Sequence, residues 1–172
     1  MSNPAPEFSR LVQLARLGPE PFRQDIAASE NERAALVQRF GLVSLDRLAA
    51  SVELTRETGG TILLRAEFTA AFAQECIVSL EPVAGEVSEH FVLRYGPPEA
   101  EPGEAVAADD EPAFEPLSGE TIDIGEAVAQ EFSLSLPLFP RDPAAVAEAD
   151  ATPEPDESPF AALRRLVSRS EK

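Results

Sequence analysis

The amino-acid sequence predicts an α+β fold, in which an antiparallel β-sheet of four or more strands is packed by two or three helices. Apolar and polar residues alternate through residues 47–95, the pattern of a meander of strands with one buried face. Helical apolar spacing, preceded by capping residues, occurs near residues 29–40 and 124–134. These two observations together indicate a sheet with helices packed against its apolar face.

The first helix is predicted from the residues at its two ends. Ser29 and Glu32 have the spacing of a capping box, in which each side chain satisfies an amide of the first turn. Gly41 supplies the C-terminal stop. Between them, apolar residues fall on one face: Leu36, Val37 and Phe40. The N-terminal twenty-odd residues, which end at a Gly18-Pro19 break, are compatible with either an edge strand or a short helix.

The strands are predicted by alternation and by turn residues. One strand begins at about residue 47, and Gly59 and Gly60 form a hairpin turn after it because glycine tolerates positive φ. The return strand carries apolar residues at every second position from Ile62 to Phe72. A further strand has apolar residues on one parity: Val87, Phe91, Leu93 and Tyr95.

The end of the return strand is predicted by a proline. Its apolar parity resumes at Cys76, Val78 and Leu80 after a polar interruption, which predicts one long bent strand or two nearly collinear strands. We expect the strand to end at Glu81-Pro82, because proline lacks the amide that a ladder hydrogen bond requires.

Two more helices are predicted in the C-terminal half. Asp123 and Glu126 repeat the capping spacing, and an apolar stripe follows them up to Pro137. The last helix begins at Ser158 as its N-cap and is amphipathic. One face carries Phe160, Leu163, Leu166 and Val167, and the rest carries Arg164, Arg165, Arg169 and Lys172. Basic residues near a helix C-terminus are also favoured by the helix dipole alone.

The sequence predicts a single domain with acidic segments inserted in it and attached to it. Segments rich in proline, alanine and acidic residues bury little apolar surface, so we expect them to be disordered. The divisions are residues 1–95, the first helix and the sheet; 96–118, a flexible acidic loop; 119–140, the second helix and a proline-rich segment; 141–157, a disordered linker; and 158–172, the basic C-terminal helix.

The net charge of −17 comes from 31 acidic and 14 basic residues, and its distribution is uneven. Residues 95–172 hold eighteen acidic and five basic residues, a net charge of −13. Because phosphate binding depends on lysine and arginine, this balance opposes direct binding of nucleic acid, and we expect no DNA partner. It is compatible with a basic protein partner and also with a role in solubility alone.

The sequence does not predict catalytic chemistry. His90, the only histidine, lies on the polar parity of its strand, and Cys76, the only cysteine, lies on an apolar parity where a small buried thiol is common. No glycine-rich phosphate loop and no Cys/His set with metal-ligand spacing occurs. We therefore expect no enzyme activity, no cofactor and no metal. The single cysteine and the absence of a signal segment or a long apolar run are typical of a cytoplasmic protein with no membrane partner.

Three motifs, taken in order, resemble the YceD family. They are the run C-I-V-S-L-E-P-V at residues 76–83, the run G-E-T-I-D-I-G-E at residues 119–126 and the terminal S-P-F-A-A-L at residues 158–163. The resemblance covers residues 8–168, has an acidic spacer between the first two motifs, and is closest to alphaproteobacterial members. This bacterial and plastid family is linked to accumulation of 23S ribosomal RNA, and its gene often neighbours one for a large-subunit ribosomal protein.

One departure from the family pattern affects the metal expectation. Many members have a second cysteine where this chain has Ser79, with further cysteines after the proline-rich segment, and such thiolates could hold zinc. This chain retains Cys76 alone, so zinc is not implied for it.

The resemblance implies a non-enzymatic factor in large ribosomal subunit biogenesis that supports 23S rRNA synthesis, processing or accumulation. We expect a basic protein partner, such as a large-subunit ribosomal protein, with rRNA contacted indirectly or through the C-terminal helix. The alternative is an acidic adaptor or chaperone for a basic protein unrelated to rRNA levels. The candidate partner-binding residues come from the three motifs and the C-terminal helix: Cys76, Leu80, Glu81, Pro82, Glu120, Asp123, Phe160, Arg164 and Arg165.

Overall fold

The computed structural model describes residues 6–98, 112–117 and 119–145, and these form an α+β fold. The elements in chain order are β1 (Leu11–Gln13), a 3₁₀ turn (Leu14–Arg16), β2 (Phe22–Ala27), α1 (Glu30–Phe40), β3 (Ser44–Arg56), β4 (Ile62–Glu75), β5 (Pro82–Gly96), β6 (Ala113–Pro116), β7 (Thr121–Asp123) and α2 (Ile124–Ser135). A five-stranded sheet has the order β2-β3-β4-β5-β6, and β1 pairs with β7 in a second small sheet. The predicted fold class is confirmed.

The strands from β3 to β5 form the predicted antiparallel meander. β2, a strand that the sequence did not predict, pairs antiparallel with β3 at the edge of the sheet. Gly59 and Gly60 both have positive φ, at 89° and 85°, and make the turn between β3 and β4. All the apolar residues predicted for one face of β4 are buried: Ile62, Leu64, Ala66, Phe68, Ala70 and Phe72. Leu63 on the opposite parity is buried as well, which alternation alone did not predict.

Both predicted helices pack on the apolar face of the sheet. The capping box of α1 is present, with Ser29 and Glu32 bonded reciprocally, and Gly41 ends the helix in the left-handed conformation. The ring of Phe132 on α2 packs edge-on against Phe72 of β4 at a centroid distance of 5.6 Å, and against Phe40 of α1 at 5.9 Å. One aromatic cluster therefore joins the sheet to the two helices.

The predicted continuation of β4 through Leu80 is wrong. The strand ends at Glu75, and the following residues form a turn in which the Cys76 amide donates to the carbonyl of Glu81 at 2.9 Å. The Leu80 amide closes the same turn by donating to the Cys76 carbonyl at 3.0 Å. Pro82 begins β5 instead of ending β4, because the first position of a strand tolerates a missing amide.

The prediction of a loop throughout residues 96–118 is wrong for residues 113–116, which form β6. This strand pairs in parallel with the end of β5, so that Leu93 faces Ala113 and Gly96 faces Pro116. A Cβ atom at position 96 would lie 3.0 Å from the ring of Phe114, so glycine is what lets this ring approach β5. Residues 99–111, 146–157 and 158–172, which include most of the predicted linker and the predicted C-terminal helix, lie outside the described residues.

The N-terminal segment forms both of the alternatives that its sequence allowed, a short strand and a 3₁₀ turn. It lies against the start of α2, where Gly125 permits a very close backbone approach. A Cβ atom at this position would lie 2.5 Å from the carbonyl oxygen of Phe8 and 3.0 Å from the amide nitrogen of Arg10. No helix in the described part of the chain is long and apolar enough to cross a membrane.

We predict that Gly125→Ala lowers the free energy of unfolding by about 1–3 kcal/mol, because the added methyl group must displace backbone atoms. The loss is expected even though alanine is the better helix former. Gly18→Ala is the matched control, because a Cβ atom at residue 18 has no atom within 4 Å. Urea denaturation measures both variants, and equal stabilities for the two would contradict the close approach.

Candidate functional site

The β4–β5 turn, residues 76–81, is joined to the segment that follows α2. The amide of Ile77 donates to the carbonyl of Pro140 at 2.9 Å, and the amide of Asp142 donates to the Cys76 thiol at 3.4 Å. We call residues 134–142, which are the last two residues of α2 and the seven that follow them, the exit segment. The first family motif therefore lies beside a stretch more than fifty residues further along the chain.

The thiol of Cys76 is the centre of this junction. It is fully buried and accepts hydrogen bonds from the amides of Val78 and Ser79 in its own turn, each at 3.4 Å, in addition to that of Asp142. Hydrogen bonding by the Ser79 hydroxyl and by these amides lowers the pKa of the Cys76 thiol to about 7 and outweighs the opposing effect of burial.

The residues at this junction do not fit a zinc ion. A structural zinc site takes four ligands, and here one thiol is accompanied by Ser79 and by backbone amides that already donate to the sulfur. Among the residues that the structure describes, no group of three or more His, Cys, Asp or Glu side chains could hold a metal ion. The expectation of no bound metal stays a prediction.

Exposed apolar side chains gather around the junction. Leu80 is 67% exposed and Ile77 is 55% exposed on the β4–β5 turn. On the exit segment, Leu134, Leu138 and Phe139 are 78%, 87% and 76% exposed. We call these five residues the apolar patch. Several large apolar side chains exposed on two segments that are bonded to each other are typical of an interaction site.

Leu80 adopts a backbone conformation that L-amino acids rarely take. Its φ is +61°, and no other non-glycine residue in the described ranges has a positive φ. Glycine or asparagine would occupy this conformation at lower cost. The exposed Leu80, held in this strained conformation, stays a candidate for contact with a partner.

The structure separates the candidate partner-binding residues into three groups. Leu80, Glu81 and Pro82 are exposed on the β4–β5 turn, whereas Cys76 beneath them is buried and does not offer its side chain to a partner. Glu120 and Asp123 lie at the other end of α2, a helix about 18 Å long. The remaining three, Phe160, Arg164 and Arg165, lie outside the described residues.

Asp123 is engaged within the fold. Its carboxylate accepts a hydrogen bond from the Ser9 hydroxyl at 2.6 Å and one from the Arg10 amide at 2.7 Å. It also caps α2 by accepting from the amides of Gly125 and Glu126 at 3.1 and 3.2 Å. Four donors therefore converge on one side chain, so Asp123 has a structural role.

An acidic cluster lies where α2 faces the edge of the sheet. Burial, followed by the nearby charges of Glu115 on β6 and Glu89 on β5, raises the pKa of Glu131. Burial and the charges of the same Glu115 and Glu131 also raise the pKa of Tyr95. Burial first, and the neighbouring carboxylates second, therefore disfavour the charged forms of Glu131 and Tyr95.

The outer face of the sheet carries charges of both signs. A shallow groove of about 530 Å³ crosses it, lined in part by Arg23, Glu53, Glu67 and His90. Arg23 and Glu53 form an ion pair at 2.7 Å. His90 is exposed, as its polar parity predicts, and lies eight residues along β5 from the β4–β5 turn, a separation of about 26 Å from Pro82.

The sheet, its two helices and the junction of turn and exit segment define an α+β domain with an acidic surface and one exposed apolar patch. Residues 64–167 match the family model described as "Large ribosomal RNA subunit accumulation protein YceD". The match spans more than half of the 172 residues, so the chain belongs to the YceD family, as its motifs suggested. Comparisons with the curated proteins and with the solved structures found no match.

Four residues of the apolar patch were not predicted as site residues: Ile77, Leu134, Leu138 and Phe139. A signal for two of them was present in the sequence, because Leu138 and Phe139 lie between Pro137 and Pro140, where no helix can bury them. Leu134 lies in the last turn of α2, and its exposure was not predicted. Ile77 was hidden by the expectation that it belonged to a strand.

We predict that the single thiol titrates with a midpoint near pH 7, followed by the ultraviolet absorbance of the thiolate. Tyr95, the only tyrosine, does not interfere because burial raises its pKa. Ser79→Ala should move the midpoint upward, towards the ordinary value of about 8.5. Ser88→Ala on β5 is the control, and equal midpoints for the two variants would contradict the role of Ser79.

The same titration has a consequence for stability. The folded pKa lies below the unfolded one, so the stabilising contribution is fully present above the unfolded pKa of about 8.5 and is lost as the pH falls through about 7. The free energy of unfolding should therefore rise between these two pH values by more in the native chain than in Ser79→Ala.

We predict that Asp123→Ala lowers the free energy of unfolding by about 2–4 kcal/mol, because it removes a helix cap and leaves the Arg10 amide and the Ser9 hydroxyl without their acceptor. Asp46→Ala, which removes an exposed carboxylate, should change it by less than about 0.5 kcal/mol. Urea denaturation distinguishes the two, and a near-neutral Asp123→Ala would show that the four hydrogen bonds contribute little.

Proposed function

We propose that this protein is a non-enzymatic factor in large ribosomal subunit biogenesis that supports 23S rRNA synthesis, processing or accumulation in the cytoplasm. The observation that carries the proposal is the family match over residues 64–167, whose description names accumulation of large-subunit ribosomal RNA. That description refers to an amount of RNA and not to a chemical reaction, which supports a non-enzymatic role.

The arrangement of the two most reactive side chains supports the same conclusion. His90 is exposed on the outer face of the sheet, whereas Cys76 is buried in the turn at the far end of β5. A nucleophile and its base need hydrogen-bond contact, and these two residues are separated by the length of eight strand residues. Neither residue therefore serves the other as a catalytic partner.

A basic protein, such as a large-subunit ribosomal protein, is the partner that the charges favour. Four arginines of the described ranges are already paired with carboxylates of the same chain: Arg10, Arg23, Arg39 and Arg94. Glu131, in contrast, lies among like charges. A chain with a net charge of −17 attracts cationic partners over long distances and opposes direct contact with phosphates, so rRNA is affected indirectly.

Binding driven in this way depends on ionic strength. Complementary charge mainly accelerates the encounter between two proteins, and added salt screens this effect. The acidic cluster of Glu89, Glu115 and Glu131 is the described surface at which we place the electrostatic attraction.

We predict that deletion of the gene lowers 23S rRNA relative to 16S rRNA, and that the native chain restores the ratio. A chain with Glu89→Gln, Glu115→Gln and Glu131→Gln should restore it less well, because the attraction for a basic partner is weakened. The matched control, Glu20→Gln with Glu30→Gln and Asp46→Asn, removes the same charge from exposed positions elsewhere and should restore it fully. Ribosome sedimentation and rRNA quantification supply the measurement.

The outcomes of this experiment distinguish the rRNA function from its alternative and test the acidic cluster separately. An unchanged ratio in the deletion strain would contradict the proposed function and favour an adaptor or chaperone unrelated to rRNA. A lowered ratio that both triple variants restore equally would retain the rRNA function and contradict the acidic cluster as the place of attraction.

A further inference from the structure

The apolar patch has an unusual exposure for a chain of this charge. Its five residues are more than half exposed in the described structure. Two lie on the β4–β5 turn and three on the exit segment, and the hydrogen bond from the Ile77 amide to the Pro140 carbonyl joins these two segments. Leaving such side chains in water forgoes the free energy of burying them. The patch therefore favours an apolar occupant.

The C-terminal segment of the chain has the complementary pattern. Residues 158–172 carry Phe160, Leu163, Leu166 and Val167 at the spacing of one helical face. A helix of this length extends over about 22 Å, which is enough to lie across the turn and the exit segment.

The described chain ends beside the patch. Asp142 bonds the Cys76 thiol, and the Ala145 amide donates to the carbonyl of Asp142 at 2.9 Å. Only the twelve residues 146–157 separate this point from the C-terminal segment, and a flexible chain of that length spans about 19 Å on average. A tether of this kind supplies an effective concentration of about 1 mM or more.

The charges around the apolar patch also favour contact with the C-terminal segment. Three carboxylates flank the patch, those of Glu75, Glu81 and Asp142, against one arginine, Arg141. The C-terminal segment contributes Arg164, Arg165, Arg169 and Lys172, the largest concentration of positive charge in the sequence. Its basic residues can therefore pair with the carboxylates at the rim while its apolar face covers the patch.

We propose that residues 158–172 dock on the apolar patch of their own chain. The inference does not depend on the proposed function, because it rests on the patch, the tether and the charges alone. The proposal gives the exposed Leu80 and the three apolar residues around Pro137 and Pro140 a common role. They form the surface on which the C-terminal segment of the same chain binds.

The test uses the full-length chain with Leu166 replaced by the photo-crosslinking residue p-benzoyl-phenylalanine, which keeps the position apolar. A mixture of unlabelled and nitrogen-15-labelled protein is irradiated at low micromolar concentration, and the crosslinked peptides are mapped by mass spectrometry. We expect crosslinks to residues 77–80 and 134–139 within single chains, because the tethered concentration exceeds that of other molecules.

Two exposed leucines supply the matched variants. Leu138→Asp should lower the crosslinking yield by about tenfold, because an apolar contact of the patch becomes charged. Leu11→Asp alters a leucine that is also exposed, at 64%, on β1 at the opposite end of α2 from the patch, and should leave the yield unchanged. Neither side chain belongs to the core, so both variants should keep the native circular dichroism spectrum.

Three results would overturn the proposal. Crosslinks that join labelled to unlabelled chains would show that the patch binds the C-terminal segment of a second copy of the protein. Crosslinks that map elsewhere, or none, would show that the segment does not dock there. Equal crosslinking yields for Leu138→Asp and Leu11→Asp would show that the patch is not part of the contact, even if the crosslinks mapped to residues near it.

Discussion

The position of α2 depends on the carboxylate of Asp123. This one side chain binds the N-terminal segment through Ser9 and Arg10 and caps the first turn of the helix. Arg10 then reaches α1 through an ion pair with Glu32 at 2.6 Å, which lowers the pKa of Glu32 to about 2. Asp123 caps the start of α2, and the last turn of the same helix carries Leu134 of the apolar patch, so the position of one end of the helix bears on the position of the other.

The sequence was informative wherever structure depended on neighbouring residues. Ser29 with Glu32, and Gly59 with Gly60, are local signals, and the capping box and hairpin turn formed as predicted. Contacts between distant residues carried no such signal. β6 is a strand of four residues stabilised by parallel pairing with β5, and β1 pairs with a strand more than one hundred residues away. The apolar parity at Cys76, Val78 and Leu80 led to the wrong prediction that β4 continues to Leu80, because a turn can continue the alternation of a strand by chance.

The sequence indicated which stretch of the chain carries the first motif, but not which of its residues are exposed. The motif at residues 76–83 falls on the β4–β5 turn and the start of β5, where Leu80, Glu81 and Pro82 are exposed, and their role in binding a partner stays a prediction. Cys76 and Asp123 belong instead to the internal framework, since each accepts several hydrogen bonds from its own chain. A sequence motif does not distinguish residues that support a surface from inside the fold from residues that are exposed on that surface. Both kinds occur in the same short stretch of sequence.

The parallel pairing of β5 with β6 has a consequence for how the chain can vary. Residue 113 lies opposite Leu93, so the connection that leaves Gly96 returns to a point only about 10 Å from where it began. A connection with such closely held ends can change greatly in length at little cost, about 0.6 kcal/mol for each doubling. Residues 97–112 are therefore a natural insertion point, where related chains can gain or lose sequence, or a reporter domain can be introduced, without a change in the register of the sheet.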